Sequence, residues 1–276
     1  MKATETSRGA EVWLREVTHL YQRQGEQVVA LRDVYLHVEP GESIALLGPS
    51  GSGKSTLLSL LAGLQVPTTG EVSVDSRTMS SRDAGGGRQL RRDRVGLLVQ
   101  DPTTVLPPFA TPVQLLRRAG DRAPERTLAR YGMRPQGHQR VGTMSAGEQQ
   151  RIALAVTMAR RPALLLADEP TSRLDAESKA TVVATLHETT REAGTTVIAV
   201  THDRSVASTF PRTVTMQNGR VGLDGTAGEQ FAIVGPDGTV PLSPEALALL
   251  PPGSRVRIVA DAPHVRLSRG DGEVDR

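Results

Sequence analysis

The 276-residue chain carries 33 Lys and Arg against 30 Asp and Glu, a formal net charge of +3 with histidine neutral, and its length fits one large domain with an appendage. Hydrophobic residues make up 38% of it and aromatics only 3%, so the core is expected to be built from Leu, Val, Ile and Ala. Having no cysteine excludes a disulfide framework, a thiolate zinc site and a cysteine nucleophile. No apolar run approaches the ~18 residues of a membrane span. The start, MKATETSRGAEVW, lacks the apolar stretch of a secretory signal peptide, so the cytosol is the expected compartment.

In chain order, VWLREVTHLY and VVALRDVYLHVEPGE alternate apolar and polar residues around Gly25 and predict antiparallel strands. SIALLG reads as a short buried strand ending at Gly48, and Ser55–Leu64 reads as a helix. Residues 77–94 hold six Arg, the run Gly85–Gly87 and no apolar period, which predicts a mobile, solvated loop. After a strand over Val95–Val99, two weak helical patterns near 112–119 and 123–131 form a small helical insert. A helix from Ala146 to Arg160, a strand Ala163–Ala167, a helix Ala176–Ala193 and a strand Thr195–Val200 then alternate, the pattern of a parallel sheet covered by helices. Residues 213–224 read as a hairpin turning at Asn218-Gly219. The tail from 226 has turn signals at Pro236-Asp237-Gly238 and Pro251-Pro252-Gly253, around FAIV, TVPL, a helix SPEALALL and the strands RVRIV and HVRLS.

The segment GPSGSGKST, spanning Gly48, Pro49, Ser50, Gly51, Ser52, Gly53, Lys54, Ser55 and Thr56, fits the phosphate-loop pattern in its strand-to-helix context. Phosphate oxygens need converging N–H donors, and glycines let the backbone approach while the helix start adds a positive field. Lysine occurs only at positions 2, 54 and 179, which makes Lys54 in this loop conspicuous. It suits the β- and γ-phosphates, and the Ser55 hydroxyl suits a bridging Mg²⁺. Downstream, LLLADE runs an apolar strand into Asp168 and Glu169. With a phosphate loop upstream, Asp168 is expected to hold Mg²⁺ and Glu169 to face the attacking water as general base.

MSAGEQQR, Met144–Arg151, followed by ADEPTSRLD, Ala167–Asp175, with Gln100 upstream and His202 downstream, resembles the ATP-binding cassette (ABC) ATPase family over roughly residues 10–225. The wording SGSGKSTLL with GEQQR most resembles the subgroup serving lipoprotein-release, macrolide-export and cell-division permeases, the FtsX-like class. The resemblance implies an α/β P-loop cassette with a parallel-sheet core, an antiparallel β subdomain, a helical insert over about 101–145 and a β-rich extension over 226–276. It implies ATP and Mg²⁺ as ligands and a head-to-tail homodimer at the cytoplasmic face of the membrane. A separately encoded integral permease is the implied partner.

By the same resemblance, Tyr21 stacks on adenine, Gln100 touches Mg²⁺ or the lytic water, and Ser145, Ala146, Gly147 and Glu148 reach the nucleotide on the opposite subunit. His202 contacts the γ-phosphate and orients Glu169, and Asp175 couples the two sites. Three departures stand out: Ala146 where the family usually has Gly, Arg173 where a small residue is common, and the Pro-rich DPTTVLPPFATPVQLL after Gln100. Ala146 is expected to reduce turnover and Arg173 to alter subunit contact, while intact Lys54, Asp168, Glu169 and His202 weigh against a non-catalytic module. The tail also resembles the swapped-hairpin module of AbrB-like regulators over roughly 230–269, which implies a strand at FAIV, a turn, a strand at TVPL, a short helix, a proline-glycine turn and two strands. Its five Arg against seven Asp and Glu, 5 − 7 = −2, argue against DNA binding and for a dimerisation or regulatory role. The alternative for the whole chain is a soluble ABC ATPase acting on nucleic acid or ribosomes.

Overall fold

The computed structural model describes residues 9–23, 25–80, 87–226, 229–232, 234, 238–242, 244–251, 254–261 and 264–269. The chain runs β1 (Val12–Arg23), β2 (Glu26–Val38), β3 (Ser43–Leu47), α1 (Lys54–Leu61), β4 (Thr69–Val74), β5 (Arg77–Met79), α2 (Gly87–Asp93) and β6 (Val95–Leu98). A 3₁₀ turn over Pro102–Thr104 opens the insert, which holds α3 (Pro112–Arg118) and α4 (Pro124–Arg130). Then come α5 (Ala146–Ala159), β7 (Leu164–Asp168), α6 (Ala176–Ala193), β8 (Thr196–Thr201), α7 (Arg204–Ala207), β9 (Arg212–Gln217) and β10 (Arg220–Thr226). The tail contributes β11 (Glu229–Ala232), α8 (Pro244–Leu249), β12 (Val256–Asp261) and β13 (His264–Arg269).

A seven-stranded sheet in the order β11-β10-β9-β3-β8-β7-β6 forms the centre, and β2-β1-β4-β5 form a separate four-stranded antiparallel sheet. From β9 to β6 the pairing is parallel, while β10 and β11 complete the edge antiparallel. The short apolar strands are buried on both faces because side chains alternate across a sheet. Ile44, Leu46, Leu164, Leu166, Ile198 and Val200 join one core with α1 and the antiparallel sheet. Their neighbours Ala45, Leu165, Ala167, Val197 and Ala199 join the other, with α3, α5 and α6.

Helix ends follow local chemistry. Thr111 and Ser145 cap α3 and α5 through reciprocal capping boxes with Gln114 and Glu148. Asp175 caps α6, which ends at Gly194 in the left-handed conformation, φ 65°.

Two expectations change. Within the expected loop of 77–94, residues 77–79 instead form β5, paired with β4 and burying Met79, and residues 87–93 are helical: α2 buries only Leu90 as an apolar side chain, and Arg91 donates to the carbonyls of Ala62 and Gly63 at the end of α1. A single apolar anchor leaves no period to read in the sequence. Residues 81–86, with Arg82, Gly85 and Gly86, lie outside the described residues, so the expected loop there is not addressed. TVPL, 239–242, forms no strand; Pro241 has no N–H to give a ladder. Phe231 and Ala232 of FAIV belong to β11, whereas Ile233 lies outside the described residues, as do Pro236, Asp237, Pro252 and Gly253 of the turn signals. Among the described residues, strands β12 and β13 pair only with each other.

Candidate active site

In the order β3-β8-β7-β6, four neighbouring parallel strands end on the same edge of the sheet. The segments leaving those ends are the phosphate loop after β3, His202 after β8, Asp168 and Glu169 at the end of β7, and Gln100 two residues beyond β6. Residues separated by up to 154 positions therefore converge, at the carboxyl edge where open α/β sheets take their ligands.

The phosphate loop is gripped from two sides. Gly53, the N-cap of α1, has φ 99°, and a Cβ there would lie 2.5 Å from the Ala30 carbonyl oxygen on β2. Only glycine supplies both the positive φ and the close approach. On the other side, the Gly219 N–H of the β9–β10 turn donates to the Ser52 carbonyl at 3.1 Å, while the Gly219 carbonyl accepts from the Arg32 N–H at 2.8 Å. A Cβ on Gly219, φ 77°, would lie 2.7 Å from the same Ala30 oxygen. The turn after β9 thus buttresses the loop after β3, which the sequence signals only as a hairpin.

Within the loop, the Lys54 ammonium donates to the Gly48 and Pro49 carbonyls, both at 2.7 Å. Burial pulls its pKa down, and the charges of Glu169 and Asp168 push it back up. Ser52 is buried, with its N–H on the Pro49 carbonyl at 3.2 Å. The half-buried Asp168 carboxyl is raised above the ordinary range, first by burial and then by the adjacent Glu169 charge; Lys54 and the Ser55 hydroxyl oppose the shift.

Glu169 adopts φ 46°, a left-handed conformation costing a non-glycine residue ~1–3 kcal/mol. Its N–H donates to the Val200 carbonyl on β8 at 3.0 Å, and its own carbonyl accepts from the Ser172 N–H at 3.2 Å. The Glu169 carboxylate lies 2.8 Å from His202 Nδ1. Gln100 is joined to the same region: its Nε2 donates to the Ser172 hydroxyl at 3.1 Å, which donates to the Glu169 carbonyl at 3.2 Å. Arg173 pairs with Asp101, beside Gln100 in its own chain.

Tyr21 stands beside the start of α1, where its hydroxyl donates to Gln65 Oε1 at 2.8 Å and lies 3.4 Å from the Thr56 hydroxyl. Ser50 and Gly51 are exposed on the loop. The signature residues sit elsewhere. Ser145 accepts from the Glu148 N–H at 3.3 Å, and Glu148 Oε2 accepts from the Ser145 N–H at 2.8 Å. Its Oε1 accepts from Gln136 at 3.1 Å. Glu148 is thus engaged within its own subunit, and no hydrogen bond links Ser145–Glu148 to the phosphate loop among the described residues. Ser145 and Ala146 are exposed, and Gly147 is buried so close to α6 that a Cβ would meet Ser178 Oγ at 2.8 Å. Asp175 Oδ1 accepts from the Ser178 N–H at 2.9 Å. Sequence reasoning missed Gly219, Ser172 and Asp101. Asn218-Gly219 at least marked a turn, while nothing in the string pairs Asp101 with Arg173.

The ABC transporter family profile matches residues 31–172. An uncharacterized ABC transporter ATP-binding protein of Mycobacterium tuberculosis is 39% identical over 212 residues, covering 72% of this chain and 84% of that protein. The lipoprotein-releasing system ATP-binding protein LolD of Idiomarina loihiensis is 35% identical over 214 residues, covering 74% and 93%. The cassette MJ0796 of Methanocaldococcus jannaschii, solved as a dimer in a post-hydrolysis state bound to ADP and Pi, matches with a TM-score of 0.70 and 30% identity, over 79% of this chain and 99% of that one. Fold and site together define a P-loop nucleoside triphosphatase of the cassette type. The chain belongs to the ABC transporter family, as one of its ATP-binding subunits that hydrolyse ATP.

Proposed function

We propose that this subunit works as a head-to-tail homodimer, hydrolysing Mg-ATP at two shared sites to drive a separately encoded membrane permease of the FtsX-like kind, in export or mechanotransmission. The observation that carries the dimer is a division within one chain. Lys54, Asp168, Glu169 and His202 lie along one sheet edge, while the exposed Ser145-Ala146 start of α5 is not hydrogen-bonded to the phosphate loop. A second copy supplies the missing half. The dimeric, ADP- and Pi-bound MJ0796 cassette supports this arrangement, and the name of LolD, a lipoprotein-releasing system ATP-binding protein, supports work within a larger release system. No helix among the described residues is long and apolar enough to cross a membrane. In the proposed arrangement the permease is a different chain and this subunit sits peripherally at the cytoplasmic face.

In this reading the Lys54 ammonium leaves the Gly48 and Pro49 carbonyls for the β- and γ-phosphates, and loop N–H groups complete the cradle. Asp168 and the Ser55 hydroxyl interact with one another and, with Gln100, offer the hard oxygen donors that Mg²⁺ prefers. These residues would hold the ion, which would supply positive charge against the charge that develops on the phosphates. Glu169 takes the proton of the attacking water as the γ-phosphoryl group passes from ADP to that oxygen. His202 holds the Glu169 carboxylate in place. Tyr21 stacks on adenine, Ser145, Ala146 and Gly147 reach across to the partner's nucleotide, and Asp175 couples the sites.

Residues 10–225 are assigned to the cassette, with the insert of 101–145 facing the permease. Residues 226–276 form an extension, AbrB-like, with a dimerisation or regulatory role. Its net charge of −2 disfavours nucleic acid. The test is to purify the tagged chain carrying Glu169→Gln from its native membrane in mild detergent with ATP. A multi-span membrane protein in stoichiometric amount is the expected companion. Nucleic acid or ribosomes without one would overturn the permease reading.

A further inference from the structure

Two consecutive residues after β6 face two consecutive residues after Glu169. Gln100 Nε2 donates to Ser172 Oγ at 3.1 Å, and the Arg173 guanidinium pairs with Asp101 Oδ2. Each rung is anchored at its far end. Ser172 Oγ donates to the Glu169 carbonyl at 3.2 Å, so the first rung reaches the backbone of the acid itself. Asp101 Oδ1 accepts from the Thr103 N–H at 3.0 Å and from its hydroxyl at 2.6 Å, capping the 3₁₀ turn that opens the helical insert. Hydrogen bonds from Thr103, together with Arg173, hold the Asp101 carboxyl below the usual carboxylate range.

We propose that Arg173 and Asp101 form a clasp that positions Gln100, so that Arg173 is a positioning residue for ATP hydrolysis. The inference rests on the role proposed above for Gln100. Gln100 is an exposed, flexible side chain, and holding it in one rotamer costs conformational entropy. With the neighbouring residue tied to Arg173, Gln100 has its backbone fixed and its amide delivered to Ser172 beside Glu169. An exposed ion pair contributes little to folding stability, and Arg173 is 60% exposed along its side chain, so the clasp acts on geometry rather than on the fold. The clasp also joins the first turn of the insert to the segment between Glu169 and Asp175. A displacement of either is passed to the other without a change in the core.

The experiment is steady-state ATPase kinetics on the full chain for Arg173→Ala, Asp101→Asn, Arg173→Lys, Gln100→Ala, the Arg173→Ala/Gln100→Ala double variant and the charge swap Asp101→Arg/Arg173→Asp, with thermal midpoints alongside. Positioning predicts that Arg173→Ala lowers kcat about three- to tenfold with an unchanged KM and midpoint. The double variant should be no slower than Gln100→Ala alone, and Arg173→Lys and the charge swap should recover part of the loss. If Gln100→Ala slows turnover but Arg173→Ala and Asp101→Asn do not, the clasp is wrong while the role of Gln100 stands. Independent, multiplicative losses in the double variant would also overturn it. If Gln100→Ala leaves kcat unchanged, the reading on which the clasp rests falls first.

Discussion

His202 Nδ1 lies 2.8 Å from the Glu169 carboxylate, a contact that ties together the ends of two adjacent parallel strands, β8 and β7. The backbone supports it, since the Glu169 N–H donates to the Val200 carbonyl at 3.0 Å and so holds the residue at φ 46°. A strained conformation maintained by neighbours fits a residue whose side chain must be aimed.

Replacing Glu169 with Gln keeps the shape and removes the base. Turnover should fall about 10²- to 10⁴-fold with ATP affinity retained, and ATP should drive the variant into a dimer on size-exclusion chromatography with light scattering. Normal phosphate release would remove Glu169 from the role of base.

Lys54→Ala deletes the ammonium that now rests on the Gly48 and Pro49 carbonyls. Charge-assisted contacts to phosphate are strong, so ATP should bind at least about tenfold more weakly, equivalent to about 1.4 kcal/mol. Titration with a fluorescent ATP analogue measures this, and an unchanged Kd would contradict the phosphate-loop assignment.

Gly219→Ala places a methyl 2.7 Å from the Ala30 carbonyl at φ 77°. The cost should be about 1–3 kcal/mol in denaturant unfolding. Because Gly219 also donates to Ser52 in the phosphate loop, ATP affinity should fall with it. Loss of stability with intact affinity would show that the turn does not brace the loop.

Arg212 sits largely buried between Asp224, whose Oδ1 and Oδ2 it contacts at 2.7 and 2.5 Å, and Glu42 Oε1 at 2.9 Å. Asp224 above all, then Glu42, pushes its pKa up against burial. Arg212→Leu strands two partly buried carboxylates and should cost about 3 kcal/mol by urea unfolding. The double change Arg212→Leu/Asp224→Leu should recover part of that loss; equal or greater damage would show that the pairing is not the source.

Asp203 caps α7 and accepts from Lys179 and Ser205, which hold its carboxyl well below the usual range, Lys179 first. A depressed carboxylate stabilises the fold above its unfolded pKa of about 4, and that contribution drains away as pH falls below it. The parent's thermal midpoint should therefore drop between about pH 5 and pH 2, and Asp203→Asn should show a shallower acid decline. Identical slopes would assign the acid sensitivity to other groups.

Local signals carried much of this molecule. α6 lies over Ala176–Ala193 as its sequence implies, because Asp175 and Gly194 are strong stop signals at its ends. The buried strands β3, β7 and β8 were legible as short apolar runs. α2 was not legible, because one buried Leu90 makes no periodicity. TVPL has an apolar, β-prone composition, yet it forms no strand, because Pro241 has no N–H to give a ladder.

The sequence by itself determined the chemistry: which residues can cradle phosphate, hold a cation and take a proton is a matter of residue type and spacing along a strand-to-helix turn. Tertiary structure alone decided their company. That Gly219 braces Ser52, that His202 reaches Glu169 and that Arg173 grips Asp101 follow from strand order, which sets side by side segments that lie far apart along the chain. No local pattern encodes that order, because it is fixed by burying both faces of a sheet at once.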